Sequence, residues 1–195
     1  ASFTRVDAVS SLAYSDYNSL QAQFKRRMTR GLQALLSYTW AKSLHTSSDE
    51  SNANFLPPAT RYTAITDRGP SSFDIRHGFN GSISYEIPFA SSNRVAKAIF
   101  GGFALDSIIR ARTAPPVLVV TGRDALGLGI TSVSRPDYVQ GQPLYLEGDG
   151  YPGGRVFNRN AFDSTTPQAQ GRQGTLGRNV LRGFGLQQVD LSARR

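Results

Sequence analysis

The chain has 195 residues, 39% of them hydrophobic, and a net charge of +8 from 22 basic and 14 acidic side chains. No run approaches the roughly 18 apolar residues of a transmembrane helix, which excludes a helical membrane protein but leaves a β-barrel open, because barrel strands alternate apolar and polar residues. Cysteine is absent, which excludes disulfides and thiol chemistry, and the arginines are scattered rather than gathered into a basic stripe, which argues against nucleic acid as a partner.

The first strong pattern is a long hairpin over residues 17–44, YNSLQAQFKRRMTRGLQALLSYTWAKSL. Apolar and polar residues alternate in both arms, 17–28 and 32–44, around a predicted turn at Thr29-Arg30-Gly31. Each arm is about twice the usual soluble strand of about 5 to 6 residues, and it matches the about 9 to 11 residues of a tilted membrane strand. From this hairpin alone, a barrel wall and an amphipathic soluble sheet explain the pattern about equally.

Two further segments, a long loop and a second long strand, also fit a barrel wall. Residues 45–73 are rich in Ser, Asn, Asp and Pro and form a predicted loop, too long for an ordinary connection in a compact soluble domain. Alternation returns over residues 74–89. Asn80-Gly81 is a hairpin signal on its own, but the unbroken parity around it favours one continuous strand.

The remaining predicted elements are less regular. A weak strand covers residues 4–12, a helical turn lies near 95–100, and a strand covers 103–121, interrupted at Pro115-Pro116. Residues 122–183 are rich in Gly, Pro, Asn, Asp and Arg and read as a second long loop with short local strands. A last strand covers 184–193. Because the chain starts without Met and stops just after this strand begins, we expect it to be part of a longer protein.

Motifs for chemistry are weak. The stretch GRDALGLG at 122–129 has a P-loop-like glycine spacing, but Leu128 stands where the phosphate-binding lysine is required. With only two histidines, a metal site would have to recruit carboxylates such as Asp49, Glu50 or Asp74, which lack ligand-like spacing. No nucleophile-elbow sequence is present. We therefore predict no catalytic, cofactor-binding or metal-binding residues and no enzyme activity.

Six segments together resemble the barrel domain of Oar-like TonB-dependent receptors of the bacterial outer membrane. They occur in the expected order and span nearly the whole chain. The segments are the hairpin at 17–44, DRGPSSFDIRHGFNGSISYEIPF at 67–89, GGFALDSIIRARTAPP at 101–116, RPD at 135–137, FNRNAF at 157–162 and GRNVLRGFGLQQVDLS at 177–192. The resemblance implies part of a barrel of about 22 strands, which surrounds a plug in the parent chain and takes energy from the TonB complex.

The sequence thus predicts an all-β fold: an antiparallel up-and-down transmembrane β-barrel segment of six or seven long strands over residues 1–195, with short periplasmic turns and long extracellular loops. The predicted partners are outer-membrane lipid, the rest of the parent barrel with its plug, and the TonB complex, and the predicted location is the cell outer membrane. The apolar faces of 32–40 and 75–89 would meet lipid. The predicted lumen residues are Gln21, Gln23, Lys25, Gln33, Asn80, Ser82 and Glu86.

Two alternatives remain open at this point. One is a structural or adhesive outer-membrane barrel without energised transport. The other is a soluble β-sandwich that binds a surface ligand, which predicts a true hairpin turn at Asn80-Gly81.

Overall fold

The computed structural model describes residues 13–46, 68–90, 92–127 and 134–195. The strand predicted at 4–12 and most of the loop predicted at 45–73 lie outside these residues. Within them, the strands in chain order are β1 (Ser15–Thr29), β2 (Leu32–His45), β3 (Gly69–Pro70), β4 (His77–Glu86), β5 (Ala104–Arg112), β6 (Pro116–Val117), β7 (Asp137–Tyr138), β8 (Tyr145–Glu147), β9 (Arg155–Phe157), β10 (Phe162–Asp163), β11 (Leu181–Arg182) and β12 (Leu186–Arg194).

The main sheet contains the five longest of these strands in the order β1-β2-β4-β5-β12, with β3 paired to the end of β2. The pairs for which a register is defined are antiparallel, and the five long strands stand in the sheet in the order in which they occur along the chain. This confirms the predicted all-β, up-and-down fold. In the described residues the sheet is open, with β1 and β12 at its edges, and their unpaired backbone groups need neighbouring strands if the sheet lies in lipid.

A tight turn joins β1 to β2. Arg30 and Gly31 both have positive φ, 51° and 78°, as a type I′ hairpin turn requires. The predicted turn is confirmed, with Thr29 as the last residue of β1. The Gly31 carbonyl accepts a hydrogen bond of 2.7 Å from the Glu86 amide, so the last residue of β4 lies beside this turn.

The segment predicted as one strand over 74–89 is a single strand, β4, although it is shorter, from His77 to Glu86. Asn80 and Gly81 lie inside it, opposite Ser37 and Leu36 of β2. The soluble β-sandwich required a hairpin turn at Asn80-Gly81, and that prediction is wrong. A Cβ at Gly81 would lie 3.1 Å from the Leu36 side chain, so a residue without a side chain allows close packing at this point.

The strand predicted over 103–121 is wrong in its second half. β5 ends at Arg112, and β6 pairs instead with β11 in a separate two-stranded sheet. Pro115 and Pro116 explain the break, because proline lacks the N–H that a continuing ladder would need. The last strand, predicted at 184–193, runs from Leu186 to Arg194.

The predicted helical turn near 95–100 is confirmed as a short helix, α1 (Arg94–Phe100), and a second helix, α2 (Thr165–Gln170), follows β10. Neither of these helices, nor any other helix in the described part of the chain, has the length and apolar character needed to cross a membrane.

The chain divides into two compact units. The wall unit contains residues 18–42, 75–114 and 185–195, and it holds most of the main sheet together with α1. The loop unit contains the described residues among 1–17, 43–74 and 115–184. Its predicted character, a long loop with short local strands over 122–183, is confirmed by the pairs β7–β10 and β8–β9. The assignment of residues 1–195 to one partial barrel domain stays a prediction.

Candidate functional site: the two faces of the wall unit and the loop unit

Strand register divides the side chains of the wall unit into two faces. Residues directly opposite each other in paired strands point to the same side of a sheet. Leu36, Gly81, Ile109 and Val189 form one such row, and Ser37, Asn80, Arg110 and Gln188 form the next. The apolar face comprises Leu32, Ala34, Leu36, Tyr38, Trp40, His77, Phe79, Gly81, Ile83, Tyr85, Leu105, Ser107, Ile109, Ala111, Gln187, Val189, Leu191 and Ala193.

The predicted grouping of β2 and β4 residues into faces is confirmed by this register. Gln33 lies opposite Ser84, and Asn80, Ser82 and Glu86 share its side of the sheet. Gln21, Gln23 and Lys25 in β1 remain assigned by their alternation alone. The polar face comprises Gln33, Leu35, Ser37, Thr39, Gly78, Asn80, Ser82, Ser84, Glu86, Ala104, Asp106, Ile108, Arg110, Arg112, Leu186, Gln188, Asp190, Ser192 and Arg194.

Aromatic side chains mark one end of the apolar face. Trp40 lies opposite His77, and the Tyr38 hydroxyl lies 2.8 Å from His77 Nδ1, with the two rings stacked at 6.2 Å. From His77 to Ile87 the chain advances ten residues, which is about 33 Å along an extended strand. For a strand tilted by about 40°, this corresponds to about 25 Å along the membrane normal. This height equals the apolar band of an outer-membrane barrel, about 25 Å.

Two arginines dominate the polar face near the C-terminal end of β5. Arg110 lies between Asn80 and Gln188, and Arg112 lies between Gly78 and Leu186. Neither guanidinium forms an ion pair with a residue of the described ranges. They line an open groove of about 480 Å³ together with Gly78 and Asn80, and its positive charge favours anionic groups.

The opposite end of the polar face carries an ion pair. The Arg194 side chain donates a 2.8 Å hydrogen bond from Nε to Asp106 Oδ2, and its Nη2 lies 3.4 Å from the Ser84 hydroxyl. The Gln188 amide donates to both oxygens of Asp190, which leaves the Asp190 charge in place. Among the arginines of β5 and β12, Arg194 therefore has an acidic partner in the described residues, and Arg110 and Arg112 do not.

The loop unit is organised around a buried carboxylate, Asp74. Its Oδ1 accepts a 2.7 Å hydrogen bond from the Ser43 amide, and its Oδ2 accepts one of 2.5 Å from Arg182 Nη2. Arg182 Nη1 also donates to the Asp74 carbonyl. The Asp74 side chain is fully buried, so these partners compensate the cost of burying its charge. Asp74, considered above as a possible metal ligand, is thus an ion-pair partner.

A second ion pair in the loop unit joins Arg172 to Asp137. Two guanidinium nitrogens donate to the two carboxylate oxygens at 2.7 and 2.6 Å, and the Thr175 amide donates to Oδ1 at 2.8 Å. The Arg172 hydrogen bonds are the main reason that the pKa of Asp137 lies below its usual value.

An apolar pocket of about 160 Å³ also lies in the loop unit. The Arg155 guanidinium lies 4.6 Å from the Tyr145 ring centroid and 5.7 Å from that of Phe184. The Tyr145 hydroxyl accepts a 2.6 Å hydrogen bond from the Arg182 amide, which fixes the ring. A dry cavity of about 150 Å³ can hold one benzene-sized ring. The pocket is lined by Tyr145, Pro152, Arg155, Val156, Phe157, Arg182, Gly183 and Phe184.

Sequence reasoning did not single out the groove arginines Arg110 and Arg112 or the residues that line the apolar pocket. The alternation Ile109-Arg110-Ala111-Arg112 was a usable signal for the two arginines, but the adjacent pair Ile108-Ile109 obscured the period of β5. Tyr145 and Arg155 lie in the paired strands β8 and β9, whose three residues each are too short for a periodic signal, and Phe184 joins them only through tertiary packing. Among the described residues, no group of three or more His, Cys, Asp or Glu side chains could hold a metal ion, and Asp49 and Glu50 lie outside those residues.

Comparison with known proteins gives one match. The family model described as "Outer membrane beta barrel domain" matches residues 1–195. No curated protein and no solved structure matches the chain.

Proposed function

We propose, from the premise that this chain belongs to the outer membrane beta barrel domain family, that it forms part of the wall of a TonB-dependent receptor that moves a bulky solute across the outer membrane. Membership of the family places the chain in the cell outer membrane of a Gram-negative bacterium. The receptor type rests on the resemblance of six ordered segments to Oar-like receptors, which also implies a plug and a TonB-contacting segment in the parent chain.

In this proposal the apolar face of the wall unit contacts lipid and the polar face lines the lumen. Outer-membrane barrels place apolar side chains outward and polar ones inward. The register supports this division, because charged side chains of β4, β5 and β12 all lie on the polar face.

The observation that carries the solute proposal is that Arg110 and Arg112 form no ion pair with any described residue. A buried or lumen-facing arginine without an acidic partner interacts strongly with carboxylate, phosphate or sulfate groups. A purely structural wall gains nothing from leaving such charges unpaired, whereas a passage for an anionic solute does. We therefore propose a solute that carries anionic groups.

The loop unit supplies a second contact in this proposal. Its pocket beside Tyr145 and Phe184 is apolar and sized for one ring. A solute that carries a ring would bind in this pocket through that ring. The chemistry proposed is binding and passage rather than catalysis.

The test is uptake by cells that express the full-length protein, with and without TonB. The probe is a fluorescently labelled sulfated oligosaccharide, compared with a neutral oligosaccharide of the same size. We expect accumulation of the sulfated probe to require both the receptor and TonB. Accumulation that is unchanged without TonB, or no accumulation at all, would favour the structural or adhesive barrel instead.

A further inference from the structure

The helix α1 exposes an apolar surface. Asn93 caps its N-terminus, because the Asn93 carboxamide accepts hydrogen bonds from the amides of Val95 and Ala96. None of its residues is buried, and Val95, Ile99 and Phe100 are 66%, 51% and 58% exposed. At about 100° per residue Val95 and Ile99 lie about 40° apart on one side of the helix, and Phe100 lies on its flank, about 100° from Ile99.

This surface continues the apolar face of the wall unit. The Ile87 amide donates a 2.9 Å hydrogen bond to the Phe103 carbonyl, which extends the β4–β5 ladder by one residue pair beyond Glu86 and Ala104. Ile87 and Phe103 therefore follow Tyr85 and Leu105 on the apolar side. The Phe89 ring then packs against the Phe100 ring of α1, with centroids 5.9 Å apart.

Basic side chains border the same surface. Arg94 and Lys97 lie on the side of α1 opposite Ile99. Arg195 directly follows the last residue of β12, its guanidinium lies 5.6 Å from the Phe103 ring centroid, and its Nη2 donates to the Ala98 carbonyl. An arginine whose guanidinium lies beside an aromatic ring at the end of an apolar face has the arrangement of a side chain at the membrane interface.

The position along the strands fixes which end of the wall this is. Glu86 lies beside the short Arg30-Gly31 turn, since its amide donates to the Gly31 carbonyl. Short turns of outer-membrane barrels lie on the periplasmic side. The apolar surface of α1 and its basic border thus lie at the periplasmic end of the apolar face.

We propose that α1 is a membrane-interface anchor, together with Phe89, Phe103 and Arg195. It lies in the headgroup region of the periplasmic leaflet and binds phospholipid. The apolar side chains Val95, Ile99 and Phe100 enter the acyl boundary, and Arg94, Lys97 and Arg195 contact lipid phosphates. Lipid is the occupant because the surface is continuous with the lipid-facing wall and its border is positively charged. This inference does not depend on what the receptor transports.

The test uses cysteine labelling, because these 195 residues contain no cysteine; any cysteine elsewhere in the full-length protein is first replaced with serine. Single variants Ile99→Cys and Val95→Cys, with Lys97→Cys as the matched control on the opposite side of α1, are labelled with an environment-sensitive fluorophore in the full-length protein. Each is reconstituted into phosphatidylethanolamine and phosphatidylglycerol vesicles containing brominated phosphatidylcholine. Only variants that keep the heat-modifiable mobility of the folded barrel in electrophoresis are compared.

We expect quenching at positions 95 and 99 to exceed that at position 97 by about twofold or more. Equal quenching at 97 and 99 would overturn the proposal. So would a blue-shifted label at 99 that brominated lipid does not quench, because that result would show α1 covered by protein.

Discussion

Asp74 and Arg182 are 108 residues apart in the chain, yet Arg182 Nη2 donates a 2.5 Å hydrogen bond to the fully buried Asp74 carboxylate. This contact joins the segment that precedes β4 to the segment that precedes β12. We infer that this ion pair stabilises the loop unit strongly, because leaving a buried charge without its partner costs several kcal/mol of unfolding free energy, about 3 to 5.

Asp74→Asn should therefore destabilise the loop unit by about 2 to 4 kcal/mol. This is somewhat less than the cost of breaking a fully buried ion pair, because the Arg182 side chain is 27% exposed. The control is Asp16→Asn, which removes the partner of Arg68 in a pair that is 44% exposed on both sides and should cost less than about 1 kcal/mol. Pulse proteolysis of the full protein in urea measures both. Equal shifts of the two variants would contradict the role given to Asp74.

The Asp137–Arg172 pair should make the loop unit sensitive to acid. The folded-state pKa of Asp137 lies below its unfolded value, so its stabilisation is complete above the unfolded pKa and is lost as the pH falls through the folded pKa. Proteolytic stability should fall as the pH drops below the usual carboxyl range and through the lowered pKa of Asp137. Asp137→Asn should be less stable at neutral pH and should lose part of this acid dependence; an unchanged pH profile would contradict the assignment.

Gly31 should resist substitution more than a glycine of similar φ in open space. A Cβ at Gly31 would lie 2.5 Å from the Glu86 carbonyl oxygen, whereas at Gly102, with a φ of 81°, it would meet nothing within 4 Å. Each Gly→Ala change costs about 1 kcal/mol of stability, because alanine disfavours a positive φ. Gly31→Ala adds a clash with the backbone, so its total cost should be about 2 to 3 kcal/mol. Urea midpoints of the folded barrel distinguish the two. Identical midpoints would contradict the close approach.

Arg110 and Arg112 should determine uptake of the anionic probe. Replacing both with Gln should lower uptake of the sulfated oligosaccharide by about tenfold at low salt, and by less at high salt, where charges are screened. The control is Arg94→Gln, which removes one positive charge from α1 and none from the polar face. A loss that is equal for the sulfated and neutral probes would show a structural defect rather than a charge effect.

The wall strands and the loop character of residues 122–183 could be predicted from the sequence, whereas the contacts within the loop unit could not. Side-chain alternation is a local property, so Leu32 to Trp40 and Ile75 to Tyr85 revealed their faces without knowledge of their partners. The strand after Pro115-Pro116 was predicted over 117–121 in line with β5, whereas Pro116–Val117 pairs with Leu181–Arg182, a contact that is not local in the sequence. The Asp74–Arg182 and Tyr145–Arg182 contacts likewise join segments distant in the chain, and no periodicity encodes them.

The most direct test of the account compares Leu36→Arg with Gln33→Arg in a membrane-assembly assay of the full-length protein. Both residues lie in β2, but Leu36 lies opposite Gly81 on the apolar face and Gln33 lies opposite Ser84 on the polar face. Arginine on the lipid side near the midplane costs about 2 to 4 kcal/mol, and on the lumen side much less. We predict that Leu36→Arg strongly reduces the assembled fraction while Gln33→Arg assembles nearly as well as the unmodified protein. Equal assembly of the two variants would contradict the assignment of the apolar face to lipid.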